Sequence, residues 1–142
     1  KFDRWVLSGR IDSQIATGPL VPNEQMVAGG AESVRGYLEG EIAGDIGVRT
    51  TFELRTPRVA LGAASSDWRL GGLVFVDLAR LRTLQAVAPQ PRFNSLRGAG
   101  LGLRLSAPAG LSLEADLARA LVAGDTTRSG DLRLHARALW AY

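Results

Sequence analysis

Alternation with a period of two dominates this chain and restricts what it can become. In Gly47–Arg55, Val48, Thr50, Phe52 and Leu54 alternate with Arg49, Thr51, Glu53 and Arg55. Successive side chains of a strand point to opposite faces, so one face is apolar and the other polar. The same pattern runs through Leu101–Ser106, Leu111–Leu117 and Leu132–Tyr142. Phe2–Ala16 and Trp68–Arg82 also read as strands, the second around Leu73-Val74-Phe75-Val76. The sum is about six strands of roughly 9–14 residues, well above the usual mean of about 5–6. Around Leu113–Leu121 a helix competes, because Leu113, Leu117 and Leu121 are four apart. The strand is preferred there, since the alternation starts at Leu111, just after a Pro108-Ala109-Gly110 turn.

Composition narrows the classes. The 142 residues are 46% hydrophobic and 22% charged, enough for one domain. With no cysteine and one histidine, zinc–thiolate sites, disulfide scaffolds and thiol catalysis are excluded, and no cofactor or metal is expected. No apolar run reaches the roughly 18–20 residues of a membrane helix. The chain opens on Lys1-Phe2-Asp3 without a start methionine or secretion leader, as expected of a segment of something longer. The pI of about 10.2 invites a nucleic-acid partner, but the arginines stand singly beside apolar residues rather than clustered, and no nucleic acid is expected.

Long strands with one greasy and one charged face fit a tilted membrane-crossing strand. The connections alternate in length. Those at about 17–45, 83–95 and 122–130 are long, whereas Pro57–Asp67 is medium and Pro108–Gly110 is tight. Outer-membrane barrels show this asymmetry, with short periplasmic turns and longer outer loops. Trp5, Trp68 and Trp140 then gather at the short-turn end, where an aromatic girdle belongs. A soluble sandwich also alternates, but a charged face of mixed sign suits a wet lumen better. Six strands cannot close a membrane barrel, whose minimum is about eight, so a larger barrel is expected.

The long first connection contains Gly29-Gly30-Ala31-Glu32-Ser33-Val34-Arg35-Gly36-Tyr37 and then Gly44-Asp45-Ile46-Gly47. Here the chain resembles the two-partner secretion transporters, the haemolysin secretion/activation barrels, whose superfamily also includes barrel-assembly proteins. Val34-Arg35-Gly36-Tyr37 matches the tip of the long loop that folds into the lumen in that superfamily. Glu24–Gly30 resembles the lead-in, Phe52–Pro57 the next strand, and Leu73–Asp77 the one after, with a Phe-x-Asp motif at Phe75 and Asp77. Ala79 stands where family members often carry glycine.

The resemblance implies an all-β fold: about six C-terminal antiparallel strands of a sixteen-stranded transmembrane barrel, spanning residues 1–142, with a lumen-folding loop at about 17–45. It implies that Arg35 anchors that loop on the inward residues Glu53, Phe75 and Asp77. It also implies a C-terminal assembly signal at Trp140 and Tyr142, which share a face. The expected function is export of an unfolded secreted protein through the bacterial outer membrane. The partners would be that exoprotein, outer-membrane lipid and the barrel-assembly machinery. Neither an enzyme nor a catalytic residue is expected. Glu114 and Asp116 on one face read as field-setting charges, His135 as a solvated lumen residue, and Gly98-Ala99-Gly100-Leu101-Gly102 as relief of crowding rather than a nucleotide loop. Two other readings stand beside this one: a barrel-assembly insertase, and a soluble antiparallel β module.

Overall fold

A computed structural model describes residues 4–62, 67–87 and 89–141. Among the described residues there are nine strands: β1 (Val6–Gln14), β2 (Met26–Ala28), β3 (Ile42–Gly44), β4 (Ile46–Arg55), β5 (Val59–Ala60), β6 (Arg69–Arg82), β7 (Phe93–Ser106), β8 (Leu111–Ala120) and β9 (Leu132–Trp140). The six long ones, of 9 to 14 residues, form one antiparallel sheet in the order β1-β4-β6-β7-β8-β9, and β2 and β3 form a separate hairpin. The fold is therefore all-β, as the alternation requires. Leu113–Leu121 lies largely in β8, with Leu113 and Leu117 on the same face, so the competing helix does not form.

Connections differ from expectation in detail. Residues 17–45 are not a bare loop, because the β2–β3 hairpin pairs Met26 with Gly44 and Ala28 with Ile42. β7 begins at Phe93, opposite Arg82, and takes up part of the connection expected to run to Ser95. The Pro57–Asp67 link carries β5, which pairs with the start of β6. Pro57 has no N–H to give the ladder. At this interruption the Thr56 N–H donates to the Gly72 carbonyl at 2.8 Å, and Thr56 Oγ1 accepts the Gly72 N–H at 2.9 Å. The Pro108–Gly110 turn is a 3-10 turn with Ala109 at φ 59°. It closes a hairpin in which the Trp140 indole N–H donates to the Ala109 carbonyl at 2.9 Å.

The register sorts every long strand into two faces. Phe75, Asp77, Glu53, Asp116 and His135 share one; Phe52, Val74, Leu101, Leu103 and Leu134 share the other. The second face has no partner layer among the described residues: Phe52, Leu103 and Leu134 are 48%, 56% and 66% exposed. A sandwich would cover that face with a second sheet. Trp5, Trp68 and Trp140, all exposed, lie at the end of the sheet that carries the Pro108–Gly110 turn, while residues 15–45, 83–92 and 121–131 connect strands at the other end. Trp140 belongs to the exposed apolar face; Tyr142 lies outside the described residues.

What is buried lies on the polar face. Met26, Ala28, Val34, Tyr37 and Ile42 from the first connection pack on Ala79, Leu81, Leu96 and Ala120 of the sheet. This small apolar core is the reason the connection lies down on the sheet instead of standing in solvent.

Candidate functional site

The segment between β2 and β3 carries the site. Its turn is tied locally: Ser33 Oγ accepts the Gly29 N–H at 2.9 Å, and the Gly30 N–H donates to the Val34 carbonyl at 3.1 Å. Val34 drops into the core, Arg35 faces the sheet, and Gly36 turns the chain with φ 99°. A side chain at Gly36 would also press on the backbone of Arg119 and Ala120 at 3.0 Å, so both conformation and space ask for glycine. The Gly36 N–H donates to His135 Nε2 at 3.3 Å. Tyr37 is fully buried. Its hydroxyl lies 2.8 Å from the Arg97 carbonyl and 2.7 Å from that of Val122, and accepts the N–H groups of both residues.

Arg35 meets three carboxylates. Its Nε donates to Asp77 Oδ2 at 2.7 Å and its Nη2 to Asp77 Oδ1 at 2.9 Å, a bidentate fork, while its own backbone N–H also reaches Oδ2 at 3.1 Å. Nη1 lies 2.9 Å from Glu53 and 3.1 Å from Asp116. Four of the five guanidinium N–H groups are thus committed. The guanidinium carbon sits 3.5 Å from the centre of the Phe75 ring, which adds cation–π attraction in a desolvated place. Asp77 is completely buried and the Arg35 side chain nearly so.

The cluster balances its own charge. Arg55 holds the far side of Glu53 at 2.6 Å, and Arg104 forks onto Asp116, with Nη2 at 2.9 Å from Oδ2. Three arginines therefore face three carboxylates. β4 supplies Glu53, β6 supplies Phe75 and Asp77, and β8 supplies Asp116, while β7 between them carries Gly98, Gly100 and Gly102 on the same face. A Cβ on Gly98 would collide with the Arg35 carbonyl, one on Gly100 with Phe75, and one on Gly102 with Asp116. The glycines make the room in which Arg35 sits. Around this cluster opens a cavity of about 420 Å³ lined by Arg10, Asp12, Arg49, Glu114 and Arg137 among others.

Two further carboxylates fasten the connection at the rim. Asp45 accepts the Leu20 N–H and the Gln25 side-chain amide through Oδ1, at 2.8 and 3.0 Å, and the Leu84 N–H through Oδ2 at 2.7 Å. It thereby joins the start of the connection to the segment between β6 and β7. Glu41 accepts the N–H groups of Thr126 and Thr127 at 2.6 Å each, the Thr127 hydroxyl at 2.9 Å and the Leu38 N–H at 3.2 Å. Those donors belong to the segment between β8 and β9. Backbone bonds from Leu84 and Leu20 hold the Asp45 carboxyl below its usual range. Burial alone would raise Glu41, but the bonds from Thr127, Thr126 and Leu38 outweigh it, and its pKa is lowered too.

Of the residues expected at the site, the structure brings Val34, Arg35, Gly36, Tyr37, Glu53, Phe75 and Asp77 into one locality. Trp140 lies apart, on the exposed face at the other end of the sheet. Asp116 was expected only as a field-setting charge and Asp45 only as part of the Gly44–Gly47 stretch; neither was expected to bind the connection, and Glu41 was not expected at all. Asp116 is 81 residues from Arg35, and only its place beside Glu114 on the polar face marked it. No group of side chains suited to a metal ion occurs among the described residues.

Three outcomes follow for the full-length protein. Replacing Arg35 with Ala leaves the buried Asp77 without a cation and should cost about 3–5 kcal/mol, read as a lower urea midpoint; Arg35→Lys keeps the charge but loses the fork and should fall between. Gly98→Val should unseat the loop tip by steric conflict at a cost of about 1–3 kcal/mol, read as faster proteolysis within 17–45. Both rim carboxyls have lowered pKa values, so their contribution is complete above the ordinary range of about 3.9–4.3 and is lost as pH falls through their folded values. Protection of the amides in 17–45, relative to their intrinsic exchange rates, should therefore be flat from pH 8 to 5 and fall in stronger acid, less steeply in Glu41→Gln.

Comparison with known proteins supplies the family. No curated protein and no solved structure matches the chain. The family model described as haemolysin secretion/activation protein ShlB/FhaC/HecB matches residues 1–105, a stretch that holds β1 to β6, nearly all of β7, and Arg35 with Glu53, Phe75 and Asp77. With that much of its 142 residues matched, the chain belongs to the ShlB/FhaC/HecB family of haemolysin secretion/activation proteins.

Proposed function

We propose that this chain is the C-terminal portion of a sixteen-stranded outer-membrane barrel that exports an unfolded secreted protein of haemolysin or adhesin type. Membership of the family makes a transporter of the two-partner secretion kind the starting point. The finer reading is carried by one observation: the buried Arg35 fork on Asp77, with Glu53 and Asp116 beside it, lies on the polar face while the opposite face is bare and apolar. In a bilayer every strand amide must find a partner within the sheet, and a bare apolar face meets hydrocarbon. The polar face then borders water, and the connection at 17–45 occupies that channel.

In this reading the passage needs no nucleotide and no covalent step. The Arg35 cluster holds the loop in one position, and its charge balance lets that position exist without exposing a lone buried charge. Release requires the fork to open as a unit, because Asp77, which has no second cation among the described residues, would be left buried and unpaired. Trp140 and Tyr142 would serve the assembly machinery that inserts the barrel. The insertase alternative shares the loop motif; the family match favours the exporter. The soluble module is disfavoured by the width of the bare apolar face.

Export of the cognate secreted protein is the test. With barrel levels in the outer membrane equal to wild type, Arg35→Ala should change secretion by about tenfold or more, taking loss of the fork at 1.4 kcal/mol or above, because the loop no longer holds the one position that occupies the channel. Unchanged export would remove the loop's role in transport.

A further inference from the structure

The exposed face is not uniform. Its outward positions on β1, β4, β6, β7, β8 and β9 hold no carboxylate among the described residues, whereas the inward ones carry Asp12, Glu53, Asp77, Glu114 and Asp116. Outward basic residues do occur, and they are confined to one end: Arg80 and Arg82 on β6, Arg97 on β7 and Arg119 on β8. All four are exposed, and none has a carboxylate within ion-pair distance among the described residues. The long connections lie at that same end, and the three tryptophans lie at the other.

Register aligns the arginines. Arg80 pairs with Ser95, Arg97 with Leu78, and Arg119 with Ala99. Each step to the next strand thus moves two residues away from the upper end of β6. The rim of the sheet descends the same way, since β6 ends opposite Phe93 whereas β8 ends opposite Gly98. In strands tilted by roughly 35–45° such a stagger brings the guanidinium groups to similar height in the membrane. Phe93 lies between two of them, with its ring centre 5.4 Å from the Arg80 guanidinium carbon and 5.7 Å from that of Arg82. Directly below come Leu78, Ala99 and Leu117, followed by Val76 and Leu101, and the leucines are all exposed.

We infer that Arg80, Arg82, Arg97 and Arg119 bind the headgroup of a phosphorylated glycolipid of the outer leaflet, with its acyl chains along the leucines beneath. The inference rests on the barrel reading above. Acid-free cationic groups stacked over an apolar band fit a ligand that is anionic at one end and hydrocarbon at the other. A guanidinium fork matches phosphate oxygens, and each arginine near an anionic surface adds attraction. Four arginines on three neighbouring strands exceed what one phosphate can neutralise, which favours a headgroup with two. A soluble acidic protein would not call for the leucines, and a neutral lipid would not call for the arginines.

The test uses the full-length protein in neutral detergent micelles and fluorescently labelled bis-phosphorylated lipid A as the probe. Wild type should bind it, and unlabelled lipid A should compete. Phosphate-free lipid A and inorganic phosphate should not compete. R80Q/R82Q/R97Q/R119Q should weaken binding by about tenfold or more, whereas R80K/R82K/R97K/R119K should keep most of it. Equal binding by the glutamine variant would overturn the inference, as would competition by phosphate-free lipid A. Displacement by inorganic phosphate alone would mean a free-anion site rather than a lipid one, and would also overturn it. If the glutamine variant does not fold, the wild-type competition decides. A protein stable in plain buffer without detergent would end the barrel reading and this one together; a detergent-dependent barrel indifferent to the phosphates ends only this one.

Discussion

A guanidinium buried against three carboxylates is expensive to assemble and more expensive to break. Removing Arg35 and its partners from water costs several kcal/mol per ion before any attraction is counted. The cost is offset because nearly every donor and acceptor is used: Asp77 takes the fork and a backbone N–H, while Glu53 and Asp116 share Nη1 and keep outer arginines of their own. The rest of the structure is arranged around that requirement. Glycines on β7 give the tip space, Phe75 offers its ring, and the small core around Val34 and Tyr37 keeps water away.

Such a cluster fixes position more than it adds stability. A surface ion pair tolerates many geometries and is worth little; a desolvated fork tolerates few. The connection is also fastened at the rim, by Asp45 to the segment after β6 and by Glu41 to the segment after β8. These rim bonds are buried as well, with Asp45 and Thr127 1% and 3% exposed, but they run to backbone N–H groups rather than to a cation. The connection is thus held at two places by different chemistry, an ion cluster at Arg35 and backbone hydrogen bonds at Asp45 and Glu41.

The two faces answer to different solvents. Inward charges are mixed in sign and paired across strands, as expected beside water and a charged loop. Among the described residues the outward charges of the long strands are arginine alone and at one end, with tryptophan at the other and leucine between. No single strand displays this order; it emerges when six registers are laid side by side.

Much of the fold was legible in the residues, because a strand's two faces are a local property. Gly47–Arg55 and Leu111–Leu117 announce which side chains share a face, and the Pro108-Ala109-Gly110 turn announces an antiparallel return. The Val34–Tyr37 motif and the alternation around Glu53, Phe75 and Asp77 named residues that the fold gathers. Asp116, Glu41 and Asp45 were not legible, because nothing local distinguishes them from solvated carboxylates and their donors lie up to 86 residues away. Nor could Phe93 be seen as a strand residue until Arg82 stood opposite it. Residue pattern alone was enough for the six long strands and their faces, since side-chain alternation follows from backbone geometry. The tertiary structure decided which carboxylates are buried with Arg35, because burial and pairing depend on the path of the connection and the register of distant strands.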